Sequence, residues 1–262
     1  LGVKGCKVKV VDCFPFFDEF LILDVRFKEL YDLVDKFVIV ECEETFTGKP
    51  KPLHLSEHLY QRYPQYADKV EIITVPRAQF ENQWDREYFQ KNHLCKENIQ
   101  HLGLEDGDLI LLSDADEIPR RTVIESLKNG FNEFGGAFHY KTYYYKFNIL
   151  TTEMCWRSKY ISYKHFTNHT EIRFMDHELI PDAGWHFSYI KTPENIKKKI
   201  EAFSHQEFNF DSITNLDNIV SSIEERTDLF RRQGMDLVVV PVDETYPEYI
   251  KENLDKLTEW IA

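Results

Sequence analysis

The stretch Asp108-Leu109-Ile110-Leu111-Leu112-Ser113-Asp114-Ala115-Asp116-Glu117-Ile118-Pro119 constrains this chain more than any other. Leu109 to Leu112 is a continuous apolar run, as expected of a central strand covered on both faces. Three carboxylates follow within four residues. Pro119 and Arg120-Arg121 then predict the start of a helix, because proline is at home in a first turn. Acids this close repel one another unless they are solvated or share a divalent cation. In a straight strand Asp114 and Asp116 would share a face, and at a strand end they can converge on one ion. Mg²⁺ and Mn²⁺ take carboxylate oxygens and keep positions open for phosphate. The expectation is a metal–diphosphate site at the carboxyl end of a strand in an open α/β sheet, where such sheets bind ligands. The competing reading is a polar turn that merely ends the strand.

The remaining pattern supports such a sheet. Lys7 to Cys13, Phe37 to Val40 and Val70 to Val75 read as strands, with helices over Phe16 to Val34 and Trp84 to Gln100 between strands. Thr47 to Pro52 holds a glycine and two prolines and reads as a loop. After Gly135-Gly136 the character changes: Ala137 to Phe147 and Met154 to Tyr163 are aromatic and alternating, predicting a hairpin or mixed strands. Pro193 to Ser204, Leu216 to Arg232 and Tyr246 to Ile261 read as closing helices. The prediction is one α/β domain over 1–262, a mostly parallel central sheet flanked by helices, with mixed strands in its second half. Residues 1–120 form a nucleotide-type half and 121–262 an acceptor-type half with the C-terminal helices.

Composition narrows the function classes. A formal net charge of −13 argues against nucleic acid as a partner. It also requires that any anionic ligand be met by a local cluster of cations. No apolar run is long enough for a membrane span, and no signal peptide is recognisable. The expected location is cytoplasmic if the chain is complete, and the Golgi lumen if an N-terminal anchor has been removed. The five cysteines lack any Cys-x-x-Cys spacing, so free thiols are expected rather than a zinc site.

Strand ends nominate the other site residues. Cys13-Phe14-Pro15 follows the first strand and could offer backbone groups and a ring to a base. Glu41 ends the second and could bond a ribose, or be a surface acid beside Glu43 and Glu44. Lys49, Lys51, Arg86 and Lys91 could supply phosphate charge or simply be solvated. His186, in the aromatic run Gly184 to Tyr189, could be a third metal ligand or a satisfied core histidine. Glu207 and Asp182 are candidate general bases, although acids in such places are commonly just solvated. Asn168-His169-Thr170 matches a glycosylation sequon, relevant only in a secretory lumen. An EF-hand is excluded by Pro119 at the position that requires glycine. A haloacid-dehalogenase-type phosphatase places its Asp-x-Asp on the first strand, not the fourth.

Several blocks together resemble glycosyltransferase family 17: Phe20 to Leu30, Val34 to Glu41, Phe46 to Leu53, Asp114 to Pro119, Ala183 to Ser188, and Pro247 to Ile250 with Asn253. They recur in the family's order from about Asp12 to the C-terminus. The resemblance implies a GT-A fold, a UDP-sugar donor (UDP-GlcNAc foremost), an inverting reaction and a divalent metal, Mn²⁺ or Mg²⁺. The acceptor region, Tyr140 to Asn168, departs from the animal members. On this reading Asp116 and His186 hold the metal and Asp114 contacts the metal or ribose. Glu41 and the Cys13-Phe14 backbone hold uridine, Lys51 and Arg86 add charge, and Glu207, or else Asp182, deprotonates a glycan hydroxyl. The rivals are an inactive glycan-binding scaffold on the same fold and a metal-dependent phosphohydrolase.

Overall fold

The computed structural model describes residues 7–262. Its strands are β1 (Val10–Phe16), β2 (Lys36–Cys42), β3 (Val70–Val75), β4 (Leu109–Leu112), β5 (Glu117–Pro119), β6 (Gly136–Tyr144), β7 (Ile149–Cys155), β8 (Lys159–Ser162), β9 (Leu179–Ser188) and β10 (Leu237–Val239). Its helices are α1 (Phe20–Leu30), α2 (His54–Arg62), α3 (Gln83–Lys91), α4 (Lys96–Ile99), α5 (Arg121–Lys128), α6 (His169–Phe174), α7 (Pro193–Ala202), α8 (Asp211–Thr214), α9 (Leu216–Glu225) and α10 (Glu248–Glu252). One sheet runs through both halves in the order β10-β7-β6-β8-β4-β1-β2-β3, with β5 and β9 joined off β6. The β3-β2-β1-β4 portion is parallel, and β8 joins β4 antiparallel, so the mixed character begins where the sequence changes. The α/β sheet with flanking helices is thus as expected and is consistent with a GT-A-like fold. Among the described residues no helix is long and apolar enough to cross a membrane.

β4 coincides with the apolar run, and all four of its residues are buried. They can be buried on both faces because two hydrophobic clusters flank the sheet: Leu109 and Leu111 enter one, Ile110 and Leu112 the other. The alternation of a strand turns one apolar run into two cores.

Several boundaries differ from the sequence expectation. The first helix starts at Phe20 rather than Phe16, because β1 runs on to Phe16. The helix predicted over 84–100 breaks after Lys91, where Leu94 and His169 join main chains, and resumes at Lys96. Pro119 ends strand β5, and the helix starts at Arg121. β5 pairs with β9, Pro119 standing opposite Gly184. A Cβ on Gly184 would lie 2.1 Å from the Ile118 carbonyl oxygen, so only glycine lets β9 come this close. The long closing helices shorten: α9 ends at Glu225, capped by Arg226 with a left-handed backbone (φ 55°), and the last segment keeps α10 and a single 3-10 turn over Thr258–Trp260. Helix α2 lies after the Pro-bounded loop, in a stretch for which the sequence reading named no element.

Candidate active site

The turn after β4 is shaped from below by a buried guanidinium. Arg26 of α1 is fully buried and donates to both carboxylate oxygens of Asp12 in β1, the Nε bond being 2.8 Å. Its Nη1 reaches the carbonyls of Asp114, Ala115 and Glu117 at 3.2, 3.2 and 2.9 Å. A buried ion pair does little for net stability but fixes geometry strongly when its remaining donors are satisfied. Here those donors gather three carbonyls of the acidic turn, which sends the Asp114 and Asp116 side chains outward.

They point into a cleft of about 740 Å³ at the carboxyl ends of β1, β2 and β4. The chain as a whole is strongly acidic, but the cleft is balanced. Lys51, Lys91, Arg157, Arg173, Lys199 and Arg232 line it, against Glu19, Glu44, Glu87, Asp114, Asp116 and Glu153. This is the local cluster of cations that the net charge demanded.

The two aspartates sit in different surroundings. Asp114 accepts from Lys91 Nζ at 2.8 Å on one oxygen and from Arg173 Nη2 at 2.7 Å on the other. Burial opposes its ionisation, but Arg173 and then Lys91 outweigh it and hold the carboxyl well below the usual range. Glu117 next to it is buried. It accepts from Ser158 Oγ at 2.6 Å, Arg173 Nη1 at 3.1 Å and the Asp114 amide at 2.9 Å. Burial again pushes the carboxyl up, and Arg173 more than reverses this, to about 2. His169, at the start of α6, is buried with both ring nitrogens unpartnered. Burial first, then Lys91 and Arg173, lower its pKa to about 3, so the ring is neutral.

Asp116 keeps more freedom. Its Oδ2 accepts from Lys199 of α7 at 2.9 Å, while Oδ1 faces His186 Nε2 at 3.8 Å, too far for a hydrogen bond. His186 stands on β9 opposite Glu117, with its Nδ1 3.4 Å from the Thr142 hydroxyl, which leaves Nε2 for the cleft. Burial opposes the charge on Lys199, but Asp116 and then Glu19 raise its pKa well above the ordinary value.

For a divalent cation, among the described residues no group of three or more His, Cys, Asp or Glu side chains is placed to hold one ion. Asp114 leaves the expected ligand set because Lys91 and Arg173 occupy both of its oxygens. Asp116 Oδ1 and His186 Nε2 do fit as two ligands of a hard cation that takes its other ligands from water and phosphate.

The other nominated residues divide. Lys51 lines the cleft; burial lowers its pKa, and Glu41, the nearest carboxylate, is 3.9 Å away. Cys13 and Phe14 are buried inside β1, and Arg26 stacks on the Phe14 ring, so Pro15, Phe16 and Phe17 reach the cleft instead. Glu41 is fully buried and caps α2, accepting from the Leu55 and Ser56 amides at 2.8 and 2.9 Å and from Ser56 Oγ. That role replaces the ribose contact. Arg86 is spent on the Phe46 carbonyl at 3.0 Å and on Glu44 at 3.2 Å, bracing the 45–48 turn rather than facing phosphate. Asp182 pairs with Arg120 and Lys141, and Glu207 pairs with His205 at 2.6 Å; neither side chain lines the cleft. Asn168 of the sequon uses its side-chain oxygen to cap α6.

Arg173, Lys199, Glu153 and Arg26 were not found from the sequence. The run Lys197-Lys198-Lys199 in an acidic chain was the one available signal, with Lys199 three residues after the buried Ile196.

A family model described as glycosyltransferase family 17 matches residues 2–255. The chain belongs to that family. The blocks that suggested the family meet in one structure: Asp114 to Pro119 forms the turn and β5, and Ala183 to Ser188 is the part of β9 that carries His186. The chain is similar to the β-1,4-mannosyl-glycoprotein 4-β-N-acetylglucosaminyltransferases of Homo sapiens and Mus musculus. Each is 28% identical over 235 residues, covering 76% of this chain and 44% of the relative. The chain thus spans less than half the length of the curated relatives it matches. An inositol-1-phosphate CTP transferase structure from T. maritima covers 98% of this chain and 99% of its own at 9% identity, with a TM-score of 0.34, too low to carry an argument.

Proposed function

We propose that this family 17 enzyme transfers N-acetylglucosamine from UDP-GlcNAc to a glycan hydroxyl with inversion, aided by Mn²⁺ or Mg²⁺. The observation that carries the reading is the Asp116–His186 pair, with Lys199 bonded to the other Asp116 oxygen, in a charge-balanced cleft at the strand ends of a family 17 fold. The names of the relatives support the sugar. When bound, the cation would be held by Asp116 and His186 and would offset charge on the leaving diphosphate.

The chain's own residues supply the rest. Lys199 reaches the same space as Asp116 and can contact phosphate oxygens. Arg173 and Lys91 hold Asp114 ionised, able to accept from a ribose hydroxyl. Phe16, Phe17, Trp84 and Tyr88 give the cleft aromatic walls suited to a base and a sugar. The acceptor side calls for a carboxylate, and Glu153 is the one that lines the cleft from the second half. It lies in the bulged stretch of β7 across from β6, and Thr142 of β6 pairs with His186 of β9. Two strand steps, about 10 Å, therefore separate Glu153 from His186, leaving space for a sugar between them. Arg232 grips Glu153 through two bonds at 3.1 and 3.0 Å, which fixes its aim. In the transfer, the acceptor hydroxyl gives its proton to Glu153 and forms the new bond to the anomeric carbon. The bond from that carbon to the phosphate oxygen breaks, and its electron pair leaves with UDP.

The test is thermal melting with UDP, UDP-GlcNAc and other nucleotide sugars, each with and without Mn²⁺. A ligand at a hundred times its dissociation constant adds about 2.7 kcal/mol. The reading expects the largest shift for UDP-GlcNAc with Mn²⁺, and loss of the Mn²⁺ dependence in Asp116→Ala. Melting that ignores every nucleotide would favour the inactive-scaffold alternative.

A further inference from the structure

We propose that Lys199 is a counter-ion gate on the metal position. In the free protein its ammonium occupies Asp116, and it gives up that carboxylate to a divalent cation only when a diphosphate receives the ammonium. The inference rests on the donor and metal reading above and adds to it an order and a coupling that neither the family nor the relatives' names supply.

The geometry has three parts. Asp116 has two oxygens and two claimants: Oδ2 accepts from Lys199 at 2.9 Å, and Oδ1 looks toward His186 Nε2 at 3.8 Å. The free carboxylate is thus already neutralised, and a cation arriving alone between Asp116 and His186 would meet the ammonium as a like charge. Next, the ammonium has limited alternatives. Its only other carboxylate within 4.0 Å, among the described residues, is Glu19 at 4.0 Å, and the other oxygen of Glu19 already accepts from the Phe17 and Asp18 amides. The neighbouring lysines are engaged as well, since Lys191 and Lys198 both pair with Asp18. Finally, the helix need not move for the gate to open. α7 is capped by Thr192 and anchored by Ile196 and Ile200, both fully buried, whereas the Lys199 side chain is partly open to the cleft. A change of side-chain rotamer is enough.

A diphosphate changes the balance because it carries enough negative charge for both the ammonium and the cation. Lys199 can then turn to a phosphate oxygen, freeing Asp116 for the metal. Metal and nucleotide must therefore tighten each other's binding by the same factor, as linkage requires. The arrangement would keep the cleft from filling with cation in the absence of donor.

The experiment measures Mn²⁺ affinity by electron paramagnetic resonance of the free ion, with and without saturating UDP, and UDP affinity by calorimetry with and without Mn²⁺. The proteins are the full chain and its Lys199→Met and Lys199→Arg variants, with Lys199→Gln in reserve should the methionine variant not melt cooperatively. In the parent chain UDP should tighten Mn²⁺ by about tenfold or more. In Lys199→Met, Mn²⁺ alone should bind about tenfold more tightly than to the parent, UDP alone should bind more weakly, and most of the coupling should vanish. Lys199→Arg should keep the coupling. The proposal is overturned if Lys199→Met leaves both the Mn²⁺ affinity and the coupling at parental values, a result that leaves the donor-site reading standing. A parent chain that binds neither UDP nor Mn²⁺ overturns the donor-site reading itself and the gate with it.

Discussion

Asp114 and Asp116 are two residues apart in sequence, chemically identical, and opposite in their circumstances. Asp114 is locked: both oxygens are matched to cations, and although its side chain is partly open to the cleft, its partners Lys91 and Arg173 and the neighbouring Glu117 are largely buried. Asp116 is half committed, with one oxygen on a lysine that can leave and the other facing an imidazole beyond bonding distance. The first arrangement fixes a carboxylate in the cleft wall, with lone pairs left for a hydroxyl, and the second suits a cation position.

The largest effect should come from unlocking the wall. Arg173→Met leaves the buried Glu117 without its cation and takes one of two cations from Asp114, and is expected to cost about 3–5 kcal/mol in urea unfolding. A loss under about 1 kcal/mol would mean that the network is not what holds this wall. Asp116→Ala should be milder for the fold but should lower the transfer rate by about 10²-fold or more, since the cation that would offset charge on the leaving diphosphate loses its carboxylate. An Asp116→Ala protein that transfers sugar at the parental rate would erase the distinction between the two acids.

Acid should weaken the wall next. Glu117 titrates at about 2 in the fold against an ordinary 4.5, so its contribution is complete above 4.5 and lost as pH falls toward 2. Asp114 is lowered too and acts in the same direction. His169 stays neutral in the fold down to about 3 while the unfolded chain takes up a proton near 6.5, so its contribution also declines from 6.5 downward. Melting temperature should therefore fall from about pH 6.5 to pH 3. That acid slope should be shallower in Arg173→Met, where the carboxyls lose the cation that depresses them; an identical slope would assign acid sensitivity elsewhere.

Smaller effects test the reassigned residues. Glu41→Ala removes the α2 cap and should cost about 1–2 kcal/mol, with UDP affinity unchanged. A selective loss of UDP binding would return Glu41 to the nucleotide. Glu207→Ala should change stability by no more than about 0.5 kcal/mol and leave the transfer rate intact, because the side chain lies on the surface outside the cleft. A large drop in rate would restore Glu207 as the base and displace Glu153.

Much of the scaffold was legible. Leu109 to Leu112 is a strand to the residue: the run is too short for a helix, and polar residues, Asp108 and Ser113, bound it on both sides. The change of character after Gly136 marks the passage from parallel to mixed strands. Pro119 misled, since a proline before two arginines suits a helix start equally well as the end of a short strand that needs no donor there. Glu41 was placed at the correct strand end, but its direction was not: a carboxylate at a strand end can face a ligand or the next helix, and here the unpaired amides of α2 claimed it.

The sequence by itself determined where acids would stand, at the end of β4, and that an acidic protein must gather cations around any anionic ligand. Hydrophobic pattern is periodic and local, so a chain reveals its strands and the ends of its strands. Only the tertiary structure decided which cations those would be. Lys91, Arg173 and Lys199 come from three different helices, 23, 59 and 83 residues away from the aspartates they meet. A single lysine or arginine on an amphipathic helix looks the same whether it faces water or a carboxylate. The distinction between a locked aspartate and an exchangeable one arises only when the helices pack, because pairing of charges is a property of distance in space, and distance along the chain carries no record of it.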